Sequence, residues 1–269
     1  VFVSSWQVLD STIEQEMWLF KHSARIDFKT KVWWNNKRKL LKVAFPLKIR
    51  TRRATYDLPF ANIERPTHRN TSWDQAKFEV SGHKWADVSE GNYGVALLND
   101  CKYGYDVKDN IMRLSLLRSP VRPDGKSDQG FHQFTYALLP HAGNWIEGEV
   151  DRHGYELNMP IVAAALGNDD SNVQESMPSR ASLVATQSPH IIVETVKQAE
   201  QGDQLILRSF DTHATHSEVD FRFEKKLRAV AETDLLEEHP SECELKDQYR
   251  LRACYQPFEI KTHRLDFSR

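Results

Sequence analysis

Two stretches with a period of two constrain this chain most. Ile26, Phe28, Thr30, Val32 and Trp34 alternate with Arg25, Asp27, Lys29, Lys31 and Trp33. After the turn residues Asn35 and Asn36, the side chains of Leu41, Val43, Phe45, Leu47 and Ile49 share one face. Successive side chains of an extended chain point to opposite sides, so each pattern describes a strand with one face buried. The two are expected to pair as an antiparallel hairpin. Shorter strand patterns follow at 54–60, 111–117 and 131–139, and five more lie at 191–197, 204–210, 218–223, 249–255 and 258–265. Only 148–158 is compatible with a brief helix, and no long amphipathic helical pattern occurs. The chain is therefore expected to be all-β.

Length and composition set the outer limits. A chain of 269 residues buries about three quarters of its unfolded surface and needs no disulfide or metal to hold a core. Residues 1–166 are expected to form a large β-sandwich domain and 185–269 a small C-terminal one. Between them, 167–184 reads as a linker, because 167–182 is polar with little to bury, and it should be the stretch most open to proteases. Val1 is not a Met and opens directly into a strand pattern, so the natural chain is expected to start earlier. Three cysteines, Cys101, Cys243 and Cys254, form no C-x-x-C pair and cannot all pair internally. Reduced thiols in the cytoplasm fit them better than a secreted disulfide framework. No apolar run approaches the roughly 20 residues of a membrane span.

A formal charge of −2 gives no global case for nucleic acid or an acidic membrane. Eight Lys or Arg and no acid lie between residues 37 and 53, but Lys42 and Lys48 fall opposite the apolar stripe, as on a solvated strand face. The chain has no G-x-S-x-G, no phosphate-binding glycine loop and no H-E-x-x-H. His213 and His216 beside Asp211 read as a partial metal set or a solvated loop, and His141 as a turn histidine bonded to backbone, against the alternative of a ligand or base. With 38 carboxylates, spacing cannot select the pair a glycosidase needs. Residues 64–74 are dense in groups that bond hydroxyls, namely Glu64, Arg65, His68, Arg69, Asn70 and Asp74, or that satisfy one another in a solvated loop. The apolar run 95–98 ends at the polar tip Asn99, Asp100 and Tyr103, and 111–117 ends at Arg118. Loops at strand ends are where binding groups gather on a rigid scaffold.

Several long strings in order carry a resemblance. L-L-K-V-A-F-P (40–46), E-R-P-T-H-R-N-T-S-W-D (64–74), K-W-A-D-V-S-E (84–90), Y-G-V-A-L-L-N-D (93–100) and F-T-Y-A-L-L-P-H-A-G-N-W (134–145) together resemble the C-terminal β-region of glycoside hydrolase family 38 α-mannosidases. The cytosolic and bacterial branch is the most similar. The likeness extends through A-R-I-D-F-K-T (24–30), I-V-E-T-V-K-Q-A-E (192–200) and P-F-E-I-K-T (257–262).

The resemblance implies a large antiparallel sandwich of the mutarotase-like supersandwich kind, lacking its first strands, and a small C-terminal sandwich. It implies an enzyme that hydrolyses terminal α-mannosides of oligosaccharides with retention. Zinc and the aspartate nucleophile belong to an N-terminal catalytic domain of the same polypeptide, the expected partner. None of those catalytic or zinc-ligand motifs has a counterpart here, so this fragment alone is expected to be inactive, with no catalytic residue, cofactor or metal. Its candidate contributions to the substrate pocket are Arg118, Asp100 and Tyr103. Two other readings stay open. A free-standing carbohydrate-binding module would expose a platform of Trp33, Trp34, Trp73 or Trp85. A scaffold domain would expose a large apolar patch.

Overall fold

A computed structural model of the chain describes residues 1–164 and 180–268. They form two compact units, Val1–Ile161 and Val162–Arg269. The all-β expectation holds: among the described residues the sheets are antiparallel and only two short helices interrupt them. Most of the linker read at 167–184 lies outside the described residues.

The first unit contains β1 (Phe2–Val8), β2 (Ser11–Leu19), β3 (Ile26–Trp34), β4 (Leu40–Pro46), β5 (Arg53–Leu58), β6 (Ala61–Pro66) and α1 (Ser72–Ala76). It continues with β7 (Val80–Ser81), β8 (Trp85–Glu90), β9 (Tyr93–Asn99), β10 (Gly104–Lys108), β11 (Ile111–Arg118), β12 (Gly130–Ala142) and α2 (Val150–Asn158). Eight strands pair in the order β1-β2-β3-β12-β9-β8-β5-β6, and four in the order β4-β11-β10-β7. Val32, Trp34, Tyr56 and Leu97 of the larger sheet pack into one cluster with Tyr105, Met112 and Leu114 of the smaller. The two sheets thus make a sandwich, with inward side chains supplied by strand alternation. The outer face of the larger sheet is also covered. There Ala96, Leu98 and Trp85 pack with Val150 of α2, and the Trp145 ring lies 5.1 Å from that of Trp85. Burial on both faces explains why β9 reads as an unbroken apolar run.

The expected hairpin does not form. β3 pairs with β2 and β12, whereas β4 pairs with β11 in the other sheet. Asn35 and Asn36 carry the chain between sheets. Asn36 is buried, its side-chain amide donating to the Val8 carbonyl at 2.9 Å and its Oδ1 accepting from Asp10 N–H at 3.1 Å. Its own carbonyl accepts from the Ser119 hydroxyl at 2.7 Å. An asparagine whose side chain satisfies the backbone of the β1–β2 turn, and whose own carbonyl takes the Ser119 hydroxyl, serves as a corner. Lys42, read as solvated, instead bonds the carboxylates of Asp106 and Glu79.

The second unit contains β13 (Val184–Thr186), β14 (Ile191–Gln198), β15 (Leu205–Asp211), β16 (Ser217–Phe223), β17 (Leu227–Thr233), β18 (Ser241–Glu242), β19 (Leu245–Asp247), β20 (Arg250–Tyr255) and β21 (Ile260–Phe267). Its sheets run β13-β16-β20-β19 and β14-β15-β21-β17-β18. Leu207, Val230 and Leu265 of one pack with Val219, Phe221 and Leu251 of the other.

Candidate functional site

Strand register places the three candidate pocket residues. β9 ends at Asn99 opposite Tyr136, and residues 100–103 lead into β10, whose Gly104 stands opposite Ser115. Arg118 ends β11 opposite Leu40. The topology therefore brings all three to the same end of the large sandwich, while no hydrogen bond or ion pair joins any two of them. Arg118 is exposed, its guanidinium without a charged partner among the described residues, and its N–H bonds Asp128 at 3.0 Å. Tyr103 is 58 % exposed with its ring 5.1 Å from that of His83. Asp100 is tied inward: its N–H donates to the Thr135 carbonyl at 3.1 Å, and its Oδ2 accepts from Thr135 N–H at 2.8 Å. Its Oδ1 is buried with no partner. The polar tip is narrower than its composition implies, because Asn99 is buried and Tyr105 is fully enclosed in the core.

The opposite end holds a cleft. About 450 Å³ opens between the sheets, floored by Ile49, Val88, Val107 and Met112 and rimmed by His68, Arg69, Asn70 and Asp109. An apolar floor with convergent polar groups is the usual build of a small-ligand site. The sequence signal for it is the polar density of 64–74. Only the fold puts His68, Arg69 and Asn70 at its mouth.

Three of the strings quoted above meet elsewhere, on the outer face of the larger sheet. His141 lies on β12 rather than in a turn, with Nε2 at 2.7 Å from Asp87 and Nδ1 at 3.2 Å from the Ala142 carbonyl. Asp87 also accepts from the Ser89 hydroxyl. Burial lowers the affinity of His141 for its proton, but the hydrogen bond and charge of Asp87, helped by the Ala142 carbonyl, outweigh it and hold the pKa above the ordinary value. Gly94 and Gly148 flank the ring: a Cβ on either would come within 2.5 Å of a His141 atom. With its side chain 5 % exposed, His141 is a packed lock rather than a base open to substrate.

In the small unit the Asp211 carboxylate caps its own loop, accepting from Thr215 N–H, the Thr215 hydroxyl and Phe258 N–H at 2.8–3.0 Å. His213 faces His190, with 6.1 Å between ring centroids. The tryptophans do not make one platform, since Trp34 and Trp85 are buried while Trp33 and Trp73 are exposed.

Known proteins match this architecture closely. The family described as "Glycosyl hydrolases family 38 C-terminal domain" matches residues 2–126, and the "Glycosyl hydrolases family 38 C-terminal beta sandwich domain" matches 190–263. The chain belongs to the C-terminal region of glycosyl hydrolase family 38. Alpha-mannosidase 2C1 of Mus musculus is 38 % identical over 267 residues, covering 96 % of this chain and 25 % of that protein. Alpha-mannosidase G of Dictyostelium discoideum is 38 % identical over 259 residues, covering 95 % and 23 %. The chain thus spans about a quarter of the length of these relatives. An alpha-mannosidase structure from Enterococcus faecalis superposes with a TM-score of 0.78 at 20 % identity, over 95 % of this chain and 29 % of that one. No helix among the described residues is long and apolar enough to cross a membrane.

Proposed function

We propose that this chain is the C-terminal β-region of a zinc-dependent, retaining α-mannosidase that removes terminal α-mannosides from oligosaccharides in the cytoplasm. The supporting observation is that nearly the whole chain aligns with about a quarter of proteins named alpha-mannosidases. An N-terminal catalytic domain of the same polypeptide is its partner and carries the nucleophile and the zinc. The metal supplies Lewis-acid ligation of sugar hydroxyls in that domain. The part of this β-region in the reaction is support and positioning.

Arg118 is the residue suited to a pocket wall. A guanidinium without a charged partner can bond vicinal hydroxyls or a carboxylate with two donors. Tyr103 adds an exposed phenol at the same end, and Asp100 anchors the loop to β12. In the full-length enzyme, Arg118→Ala is expected to lower kcat/KM at least ~10-fold, as loss of a charge-assisted bond of about 1.5–3 kcal/mol requires, with the melting temperature unchanged. Unchanged turnover would refute the wall. The 269-residue chain alone is expected to release no aryl leaving group from an α-mannoside, with or without added zinc, and release would overturn the division of labour.

A further inference from the structure

We propose that Glu232, Cys243 and His263 of the small unit form a binding site for one divalent ion of the zinc class. Sheet register assembles it. Glu232 on β17 stands directly opposite His263 on β21. Cys243 follows β18 and is held beside them by its N–H, which donates to the Val230 carbonyl at 2.9 Å. One ligand atom from each side chain lies within 4.8 Å of the other two.

His263 is the independent sign of a ligand. It is 1 % exposed, on the strand face that buries Leu265, and its Nδ1 has no hydrogen-bond partner. An unpaired buried polar nitrogen is destabilising, and coordination would give it a partner. A neutral imidazole keeps one ring nitrogen with a lone pair for a metal. Cys243 binds by exchange, with an S–M bond forming as the S–H proton leaves to solvent.

Charge and softness select the ion. Lys261 bonds Glu232 at 2.7 Å and Glu259 at 3.3 Å. Its positive charge is thus matched by Glu259, and the Glu232 carboxylate and a Cys243 thiolate leave two negative charges to balance a divalent cation. A carboxylate has two oxygens, so Glu232 can keep Lys261 and still ligate. Thiolate, imidazole and carboxylate suit zinc or cobalt rather than magnesium or calcium, with a fourth position for water. The other gathered set, Asp234, Glu238 and His239, lies on the exposed surface. Its Asp234 carboxylate already caps the N–H groups of Leu236 and Glu238.

The test titrates Co2+ into the chelator-treated 269-residue chain. One equivalent with a thiolate-to-cobalt charge-transfer band is expected, displaced by Zn2+. The band should vanish in Cys243→Ser, persist in the Cys101→Ser, Cys254→Ser double variant, and need more than about 10-fold more Co2+ in Glu232→Gln, at least the effect of losing an outer-shell partner. Thermal melts establish that each variant folds. Should Cys243→Ser not fold, the alkylation rate of Cys243 in the unaltered chain decides instead, with Zn2+ expected to slow it more than about 10-fold. A folded chain without the band, a band that survives Cys243→Ser, or alkylation indifferent to Zn2+ would overturn the site.

Discussion

The Nε2 of His141 lies 2.7 Å from the Asp87 carboxylate, and both side chains are sealed within the outer face of the eight-stranded sheet. This contact joins β12 to β8 across β9, between strands that are not neighbours in the sheet. A raised folded pKa means the contribution is fully present below the unfolded value near 6.5 and is lost as pH rises through the folded value. The stability difference between the natural chain and His141→Gln should therefore be larger at pH 5.5 than at pH 8.5. Denaturant titrations at the two pH values measure it, and equal differences would refute the coupling.

Gly94 is predicted to tolerate no side chain. A Cβ there would meet His141 Cε1 at 2.3 Å and the Ser89 Oγ at 2.6 Å. Overpacking of this kind costs about 1–3 kcal/mol, so Gly94→Ala should shift the denaturation midpoint clearly downward. Gly91→Ala is the control, since nothing lies within 4 Å of its added Cβ.

Asn36→Ala should destabilise by about 2 kcal/mol, because it strands the Val8 carbonyl and the Asp10 N–H at the corner between sheets. Asn35→Ala should cost less than about 1 kcal/mol, as its exposed amide makes one bond, to the Asp10 carbonyl. Equal midpoints for the two variants would show that the corner contributes nothing.

Acid should weaken the small unit through His263. Its folded pKa of about 4 lies below the unfolded value, so its contribution is present above pH 6.5 and fades as pH falls toward 4. The loss amounts to up to about 3 kcal/mol. Thermal melts in chelator between pH 7 and 4.5 follow it, and His263→Phe should flatten the slope. A slope unchanged in that variant would assign the acid sensitivity elsewhere.

Much of the fold was legible along the chain. From Phe28 to Trp34 the alternation names the buried face correctly, and it breaks only at Asp27, buried because Arg25 pairs with it at 2.7 Å. The polar ends of β9 and β11 were equally readable, since a run of apolar residues stops where burial stops. Other strands left no clear trace: β17 mixes Arg228 and Glu232 into its apolar positions, and its partners lie far along the chain.

What the sequence determined by itself was the all-β class, the strand faces and, through its long strings, the family. What only the tertiary structure decided was which strands meet. A period of two reports which side of a strand is buried, but not the neighbour that buries it. For that reason β4 lies beside β11 instead of β3, and His141 reaches Asp87. Glu232, Cys243 and His263, which show no ligand spacing along the chain, stand together because non-local ladders of β17, β18 and β21 set their register.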